Sequence, residues 1–127
     1  MSIFILDIQS QEMLYKKHLS EPWFSLIKLG HKTIEGRLNK GDFLQMNVGD
    51  VIEFENNDFG LNRLCKTIII RKTQYSSFKE FLEKEGLQKC LPSIDSIQDG
   101  VKIYYNYFSK QDEELYGIIS IEINLFS

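Results

Sequence analysis

The densest group of chemically useful side chains lies at residues 30–37, which read Gly-His-Lys-Thr-Ile-Glu-Gly-Arg. In an extended chain Thr33, Glu35 and Arg37 share one face, so Lys32 meets Glu35 only where the chain bends. Beside Glu35 the lysine stays an ammonium and anchors a phosphate or carbonyl group, whereas a desolvated lysine without that neighbour is a general base. Arg37 offers a planar fork for a phosphate or a base edge. The cluster favours binding over catalysis; the alternative is an exposed edge strand with an ion pair worth about 0 to 1 kcal/mol.

Three nearby tyrosines are candidates for holding a planar ligand. An aromatic ring that stacks on an unpaired base contributes about 1 to 3 kcal/mol. Tyr104 falls on the apolar stripe of a predicted helix, so core packing is the expected role for its side chain. Tyr105 and Tyr107 are the predicted ligand contacts.

The sequence predicts no metal site and no cofactor. His18 and His31 are isolated, without a cysteine or carboxylate at metal-ligand spacing. The glycines form no Walker-type phosphate loop, and no nucleophile-elbow pattern surrounds a serine.

Composition limits the class of protein. The 127 residues include 15 Lys and Arg against 18 Asp and Glu, a formal net charge of −3, and 43% are hydrophobic. These values predict one globular domain over residues 1–127 and exclude a generally basic nucleic-acid binder. They do not exclude a binding cleft that is basic only locally. Residues 1–7 lack a secretion signal and no apolar stretch reaches the roughly 18 residues of a membrane span, so a cytoplasmic protein is expected. Cys65 and Cys90 are expected as reduced thiols in or near the core.

Local signals predict three helices. Ser20 is expected to cap a helix over residues 21–30 that Gly30 ends. The capping box at residues 77–80 starts a second helix, and Ser96 starts a third. The buried faces are expected to carry Trp23, Phe24 and Ile27 in the first helix, Phe78, Phe81 and Leu82 in the second, and Ile97, Val101, Tyr104 and Phe108 in the third.

The other patterned segments alternate with a period of two residues, which is typical of half-buried strands. They are residues 52–55 and 119–125, with a further strand over residues 64–71 that is expected to be buried on both faces at its three isoleucines. The charged runs at residues 79–85 and 110–114 are expected to be solvated faces. Strands interrupted by short helices, without regular βαβ alternation, predict an α+β fold around a small barrel or curled sheet.

The octet at residues 30–37 and its flanking segments resemble the ASCH domains (activating signal cointegrator homology), which have a PUA-like β-barrel fold. The family pattern Gly-x-Lys-Thr-x-Glu-x-Arg is present in the octet, after a family-like helix at residues 22–28 and before a Gly-Asp turn and strand at residues 48–54. The ending, residues 104–107 and 115–118, is also similar. The resemblance covers about residues 19–123.

This resemblance implies a cleft between barrel and helices that associates with RNA. It also implies an alternative, because some members are ribonucleases or amidohydrolases that release the acetyl group from N4-acetylcytidine. Those amidohydrolases use a Lys, a Thr three residues later and a distal Glu. Lys32 matches the Lys, Glu35 stands at the Thr position, and residues 91–92 are where the distal Glu is sought.

The sequence therefore predicts a domain that binds RNA or a nucleoside-like ligand. The binding residues are Lys32, Thr33, Glu35 and Arg37 with Tyr105 and Tyr107. The alternative is a hydrolase in which Lys32 and Glu35 are catalytic. A third hypothesis, a protein-interaction domain, fits the net charge of −3.

Overall fold

The computed structural model describes residues 12–126, so residues 1–7, considered above as a possible signal, lie outside the described part. Within it five strands alternate irregularly with six short helices. The strands are β1 (Leu14–His18), β2 (Ile34–Leu38), β3 (Val51–Asn56), β4 (Arg63–Tyr75) and β5 (Ile118–Leu125). The helices are α1 (Trp23–Lys28), α2 (Asp42–Gln45), α3 (Phe78–Glu85), α4 (Leu87–Cys90), α5 (Ile97–Tyr105) and α6 (Lys110–Tyr116), with a 3-10 turn at Asp58–Gly60.

The strands form one mixed sheet in the order β1-β3-β4-β5-β2. Strand β1 pairs parallel to β3, and all other pairs are antiparallel. The 13-residue strand β4 pairs with β3 through its first half and with β5 through its second, and a register shift lies between Ile69 and Arg71. Such irregularities bend and twist a strand. The sheet curls into a half-barrel, which confirms the predicted α+β fold with a curled sheet.

Two of the predicted helix starts are confirmed in atomic detail. The Ser77 hydroxyl accepts a hydrogen bond from the Glu80 amide at the start of α3, and the Ser96 hydroxyl accepts one from the Asp99 amide at the start of α5. Both fit the preference of serine for the position before the first helical residue. Gly100, inside α5, allows close packing, because a Cβ there would lie 2.9 Å from Leu82 Cδ1.

The start of α1 differs from the prediction. Ser20 does not cap this helix; the Glu21 carboxylate does, accepting hydrogen bonds from the Ser25 amide at 2.9 Å and the Ser25 hydroxyl at 2.6 Å. A carboxylate reaches further than a hydroxyl, so the residue after Ser20 can satisfy the free amide. The predicted end is confirmed, since Gly30 has a φ of +81° just after the helix. The predicted buried face is also confirmed: Trp23, Phe24 and Ile27.

The charged runs are not wholly solvated, which corrects the prediction for two glutamates. Glu113 in α6 is buried and accepts hydrogen bonds from the Phe78 amide at 2.7 Å and the Tyr105 hydroxyl at 2.6 Å. Glu85 in α3 is buried and accepts hydrogen bonds from three side chains of the sheet, those of Arg71, Tyr75 and Ser120. Each carboxylate therefore ties a helix to a distant segment.

Burial along the strands follows the predicted alternation with three exceptions. In β3 the side chains of Ile52 and Phe54 are buried, as predicted. Ile70 and Leu125 are exposed, so burial on both faces at the isoleucine run and burial of the last residue of β5 were wrong. Ser120, predicted on the outward face of β5, is buried where its hydroxyl donates to Glu85. Cys65 and Cys90 are buried free thiols, which confirms the prediction. Among residues 12–126 no helix has the length and hydropathy to span a membrane.

Candidate functional site

A cavity of about 440 Å³ opens where the two edge strands of the half-barrel meet helices α1 and α5. Its aromatic wall is formed by Trp23, Tyr104, Tyr107 and Phe108. Its polar side chains are His18, Ser20, Lys32, Glu35 and Arg37. Three members of the predicted cluster thus lie in the wall of one cavity whose size and mainly apolar lining are typical of small-molecule sites.

A bend between α1 and β2 brings Lys32 to Glu35. The amides of His31 and Lys32 both donate to the Leu26 carbonyl, at 2.9 and 3.0 Å, which turns the chain back on the end of α1. Strand β2 begins only at Ile34. The bend that the sequence required for a contact between Lys32 and Glu35 is therefore present.

Lys32 is fully occupied by three acceptors. Its side chain is 1% exposed, and Nζ donates to the Ile34 carbonyl at 2.6 Å and the Cys90 carbonyl at 2.5 Å. The third neighbour is Glu35 Oε1 at 3.2 Å. An ammonium has three N–H donors, so this arrangement uses all of them. Lys32 thus joins the end of α4 to the start of β2 and holds the Glu35 carboxylate in place.

Glu35 is the only carboxylate that lines the cavity among the described residues, and it is ionised by its neighbours. Burial would raise the pKa of this carboxyl, but the charges of Lys32 and Arg37, together with their hydrogen bonds, outweigh burial and lower it. Glu35 Oε2 accepts a hydrogen bond from Arg37 Nε at 2.8 Å. The site therefore presents a fixed anionic acceptor.

Arg37 bridges the two edge strands. Besides Glu35, its guanidinium donates from Nη2 to the His18 carbonyl at 3.3 Å and lies 4.9 Å from the centroid of the Phe43 ring. Arg37 is on β2 and His18 is on β1, which are not paired with each other in the sheet. A guanidinium has five N–H groups, so donors remain after these contacts.

Tyr104 combines a core position with a polar group. Its ring stacks on Phe78 with centroids 4.5 Å apart, and its side chain is buried, as predicted. Its hydroxyl has no hydrogen-bond partner within residues 12–126. Burial, followed by the charge of Glu35, raises the pKa of Tyr104 well above its ordinary value, so the hydroxyl keeps its proton.

The structure places the remaining predicted residues differently. Tyr107 lies at the cavity wall, half exposed, with its hydroxyl 3.1 Å from Ser20 Oγ. Thr33 is outside the cavity, because it lies in the bend, where its amide donates to the Lys89 carbonyl. Tyr105 is also outside, because one residue along a helix turns the side chain by about 100° and directs its hydroxyl to Glu113.

Sequence reasoning gave several wall residues a core role alone. Trp23 and Phe108 were assigned to the core. Tyr104 was among the candidate tyrosines but was expected to pack in the core, and the signal against that role was its polar hydroxyl on an otherwise apolar stripe. Leu91 reaches the wall, but the distal glutamate sought there has no counterpart among the described lining residues. Within residues 12–126 no three His, Cys, Asp or Glu side chains are grouped to hold a metal ion.

Comparisons with known proteins give one consistent result. The model of the ASCH domain family matches residues 18–126. The crystal structure of the hypothetical protein PH0355 has a TM-score of 0.80 and 39% sequence identity, covering 90% of this chain and 100% of that one. The solution NMR structure of protein PF0455 from Pyrococcus furiosus has a TM-score of 0.73 and 37% identity, covering 91% and 99%. No curated protein matches the sequence.

A more distant structure shares the fold. The crystal structure of a mutant of ZmASCH from Zymomonas mobilis has a TM-score of 0.64 and 12% identity, covering 89% of this chain and 68% of that one. At this identity the likeness concerns the fold alone. It agrees with the PUA-like architecture expected from the resemblance.

Proposed function

Because this chain belongs to the ASCH domain family, whose model matches residues 18–126, we propose that it binds an unpaired base of RNA or a nucleoside-like ligand in the 440 Å³ cavity. The observation that carries the proposal is the pairing of an aromatic wall with the fixed Glu35 and Arg37 groups. A planar heterocycle needs both an apolar surface for its faces and polar groups for its edge.

Each part of the cavity has a role in this proposal. Trp23 and Tyr107 offer ring faces to the base, and Tyr107 is the more exposed of the two. Glu35 accepts a hydrogen bond from an N–H group of the ligand. Arg37 uses its remaining N–H groups for a base acceptor or a neighbouring phosphate.

Lys32 acts through Glu35 in this proposal. All three of its N–H groups have protein acceptors, so a direct contact with a phosphate requires the loss of one of them. The lysine is a positioning residue.

The hydrolase alternative requires Glu35 or Lys32 to exchange a proton with the substrate, and the observed contacts of both residues oppose this. A general base works best with a pKa near the operating pH, and Lys32 and Arg37 lower the pKa of Glu35 instead. Lys32 would have to leave two carbonyls and a carboxylate to act on a substrate. These contacts favour binding without turnover.

The test uses the single tryptophan of the chain, which lies in the cavity wall. Trp23 fluorescence is titrated with the four ribonucleosides, N4-acetylcytidine and short single-stranded RNA, and product release is followed by chromatography in the same samples. We expect saturable fluorescence changes without turnover. Arg37→Ala should weaken binding about tenfold, the effect of losing roughly 1.4 kcal/mol.

Lys66→Ala is the matched control, because Lys66 is exposed on β4 and does not line the cavity. It removes the same charge and should leave affinity unchanged. Turnover that Glu35→Gln abolishes would establish the hydrolase instead. The absence of binding to every ligand of the panel would contradict both functions.

A further inference from the structure

Two adjacent tyrosines of α5 differ in how their hydroxyls are satisfied. The Tyr105 hydroxyl donates to Glu113 Oε1 at 2.6 Å, outside the cavity. The Tyr104 hydroxyl is buried, has no partner within the described residues, and belongs to a side chain of the cavity wall. A buried hydroxyl without a partner destabilises a protein, because it loses its hydrogen bonds to water.

The packing contacts of Tyr104 are made by its ring, and its hydroxyl contributes to none of them. The ring stacks on Phe78 at 4.5 Å with an interplanar angle of 6°, and it meets the ring of Phe81 edge-on at 5.8 Å. A phenylalanine would make the same two contacts without burying a polar atom. The hydroxyl therefore has a cost and no structural use within the described part of the chain.

Building on the proposed function, we infer that the Tyr104 hydroxyl is a specificity-determining group that hydrogen-bonds to the edge of the ligand ring beside Glu35. The two groups are complementary. An ionised carboxylate only accepts, while a protonated phenol donates. The ligand edge that satisfies both carries an N–H donor next to an acceptor, as the amide or amidine edge of an unpaired nucleobase does.

The charges around the hydroxyl support this assignment. Burial of the ring, followed by the charge of Glu35, raises the pKa of Tyr104, so its proton is available for donation at neutral pH. Lys32 and Arg37 keep Glu35 ionised and fixed. A ligand in which methyl groups replace every hydrogen of the edge donor nitrogen would present no N–H group there to Glu35 and would place a methyl group against it.

The test compares Tyr104→Phe with Tyr105→Phe as the matched control. Tyr104→Phe should melt at the same or a higher temperature than the wild type, because the packing stays and an unsatisfied hydroxyl is removed. It should nevertheless bind the nucleosides at least about tenfold more weakly in the Trp23 titration. Tyr105→Phe should show the opposite pattern, a lower melting temperature with unchanged affinity.

A second measurement probes the ligand edge. For each of the four ribonucleosides that binds, the derivative in which methyl groups replace every hydrogen of one Watson–Crick donor nitrogen is titrated in parallel: the ring N–H of uridine or guanosine, or the exocyclic amine of adenosine or cytidine. The wild type should prefer the unmethylated form, and Tyr104→Phe should reduce that preference.

The outcomes separate the inference from the proposed function. Wild-type binding with equal affinity in Tyr104→Phe would overturn the inference and leave the proposed function standing. No binding of any nucleoside by the wild type would overturn both. A lower melting temperature in Tyr104→Phe would assign the hydroxyl a structural role and also overturn the inference.

Discussion

The Lys32 Nζ atom lies 3.2 Å from Glu35 Oε1, and the two side chains are only 1% and 6% exposed. The same nitrogen donates to the carbonyls of Ile34 and Cys90. A buried ion pair persists only where its charges are neutralised and its hydrogen bonds completed, and here both conditions hold. The pair therefore fixes this part of the cavity wall, and its removal should lower the stability of the whole domain.

Substitution of Lys32 by methionine should lower the free energy of unfolding by about 3 to 5 kcal/mol, the usual cost of breaking a buried pair. The variant leaves Glu35 Oε1 and two carbonyls without the lysine N–H groups, while Arg37 still donates to Glu35 Oε2. Urea unfolding measures the loss. Lys17→Met is the matched control, because the Lys17 to Asp42 pair is 2.6 Å long but partly exposed and should contribute about 0 to 1 kcal/mol. Equal losses in the two variants would contradict the structural role of Lys32.

Glu35 should also produce a pH-dependent contribution to stability. Burial acts to raise its pKa, but Lys32 and Arg37 lower it below the ordinary value of 4.5. A carboxyl whose pKa is lower in the folded state stabilises the fold above its unfolded pKa and loses that contribution as the pH falls through the folded pKa. The difference in unfolding free energy between the wild type and Glu35→Gln should therefore shrink as the pH drops below 4.5.

Parallel urea titrations of the two proteins measure this difference. The comparison with the variant is needed because Glu21 and Glu85 also have lowered pKa values and contribute to the acid limb of the wild-type curve. A difference that stays constant with pH would show that the ionisation of Glu35 is not coupled to folding.

The parts of the fold that were predictable depend on contacts between near neighbours in the sequence. The Ser77 and Ser96 caps each join residues three positions apart, so a short pattern contains both partners. The parallel pairing of β1 with β3 and the contact of Glu113 with the Phe78 amide, 35 residues away, have no local signature. Long-range partners decide which charged residues of a helix are buried, and this is why the solvated-face prediction failed.

The candidate site was likewise predictable where its residues are near neighbours in the sequence. The octet contains Lys32, Glu35 and Arg37, so their proximity followed from spacing once a bend was allowed. The alternation of an extended chain also placed Thr33 on the face of Glu35 and Arg37, but Thr33 lies in the bend before β2 and outside the cavity. Tyr104 lies 67 residues after Arg37 and 72 residues after Lys32 in the sequence. Only the tertiary fold brings its ring to residues 30–37.

Gly36 should not tolerate even a methyl group. A Cβ at this position would lie 2.6 Å from Cε2 and 2.7 Å from Cζ of Phe81. Overpacking of this kind lowers the free energy of unfolding by about 1 to 3 kcal/mol, and we expect that loss in Gly36→Ala by urea unfolding. Phe81→Leu removes the ring atoms in question, so the double variant should lose less than the sum of the two single losses. Strictly additive losses would contradict the contact.

Arg37 should be more important for binding than its charge alone implies. Arg37→Lys keeps the positive charge but cannot contact Glu35, the His18 carbonyl and the Phe43 ring together, because a lysine lacks the planar fork. We expect affinity in the Trp23 titration to fall about tenfold. Arg63→Lys is the matched control: Arg63 bonds to Glu21 and Asn56 and lies over the Phe24 ring, but it does not line the cavity. Arg63→Lys should lower the free energy of unfolding as much as Arg37→Lys does but leave the affinity unchanged. Equal losses of affinity in the two variants would show that the weaker binding results from lower stability and not from the loss of the Arg37 contacts.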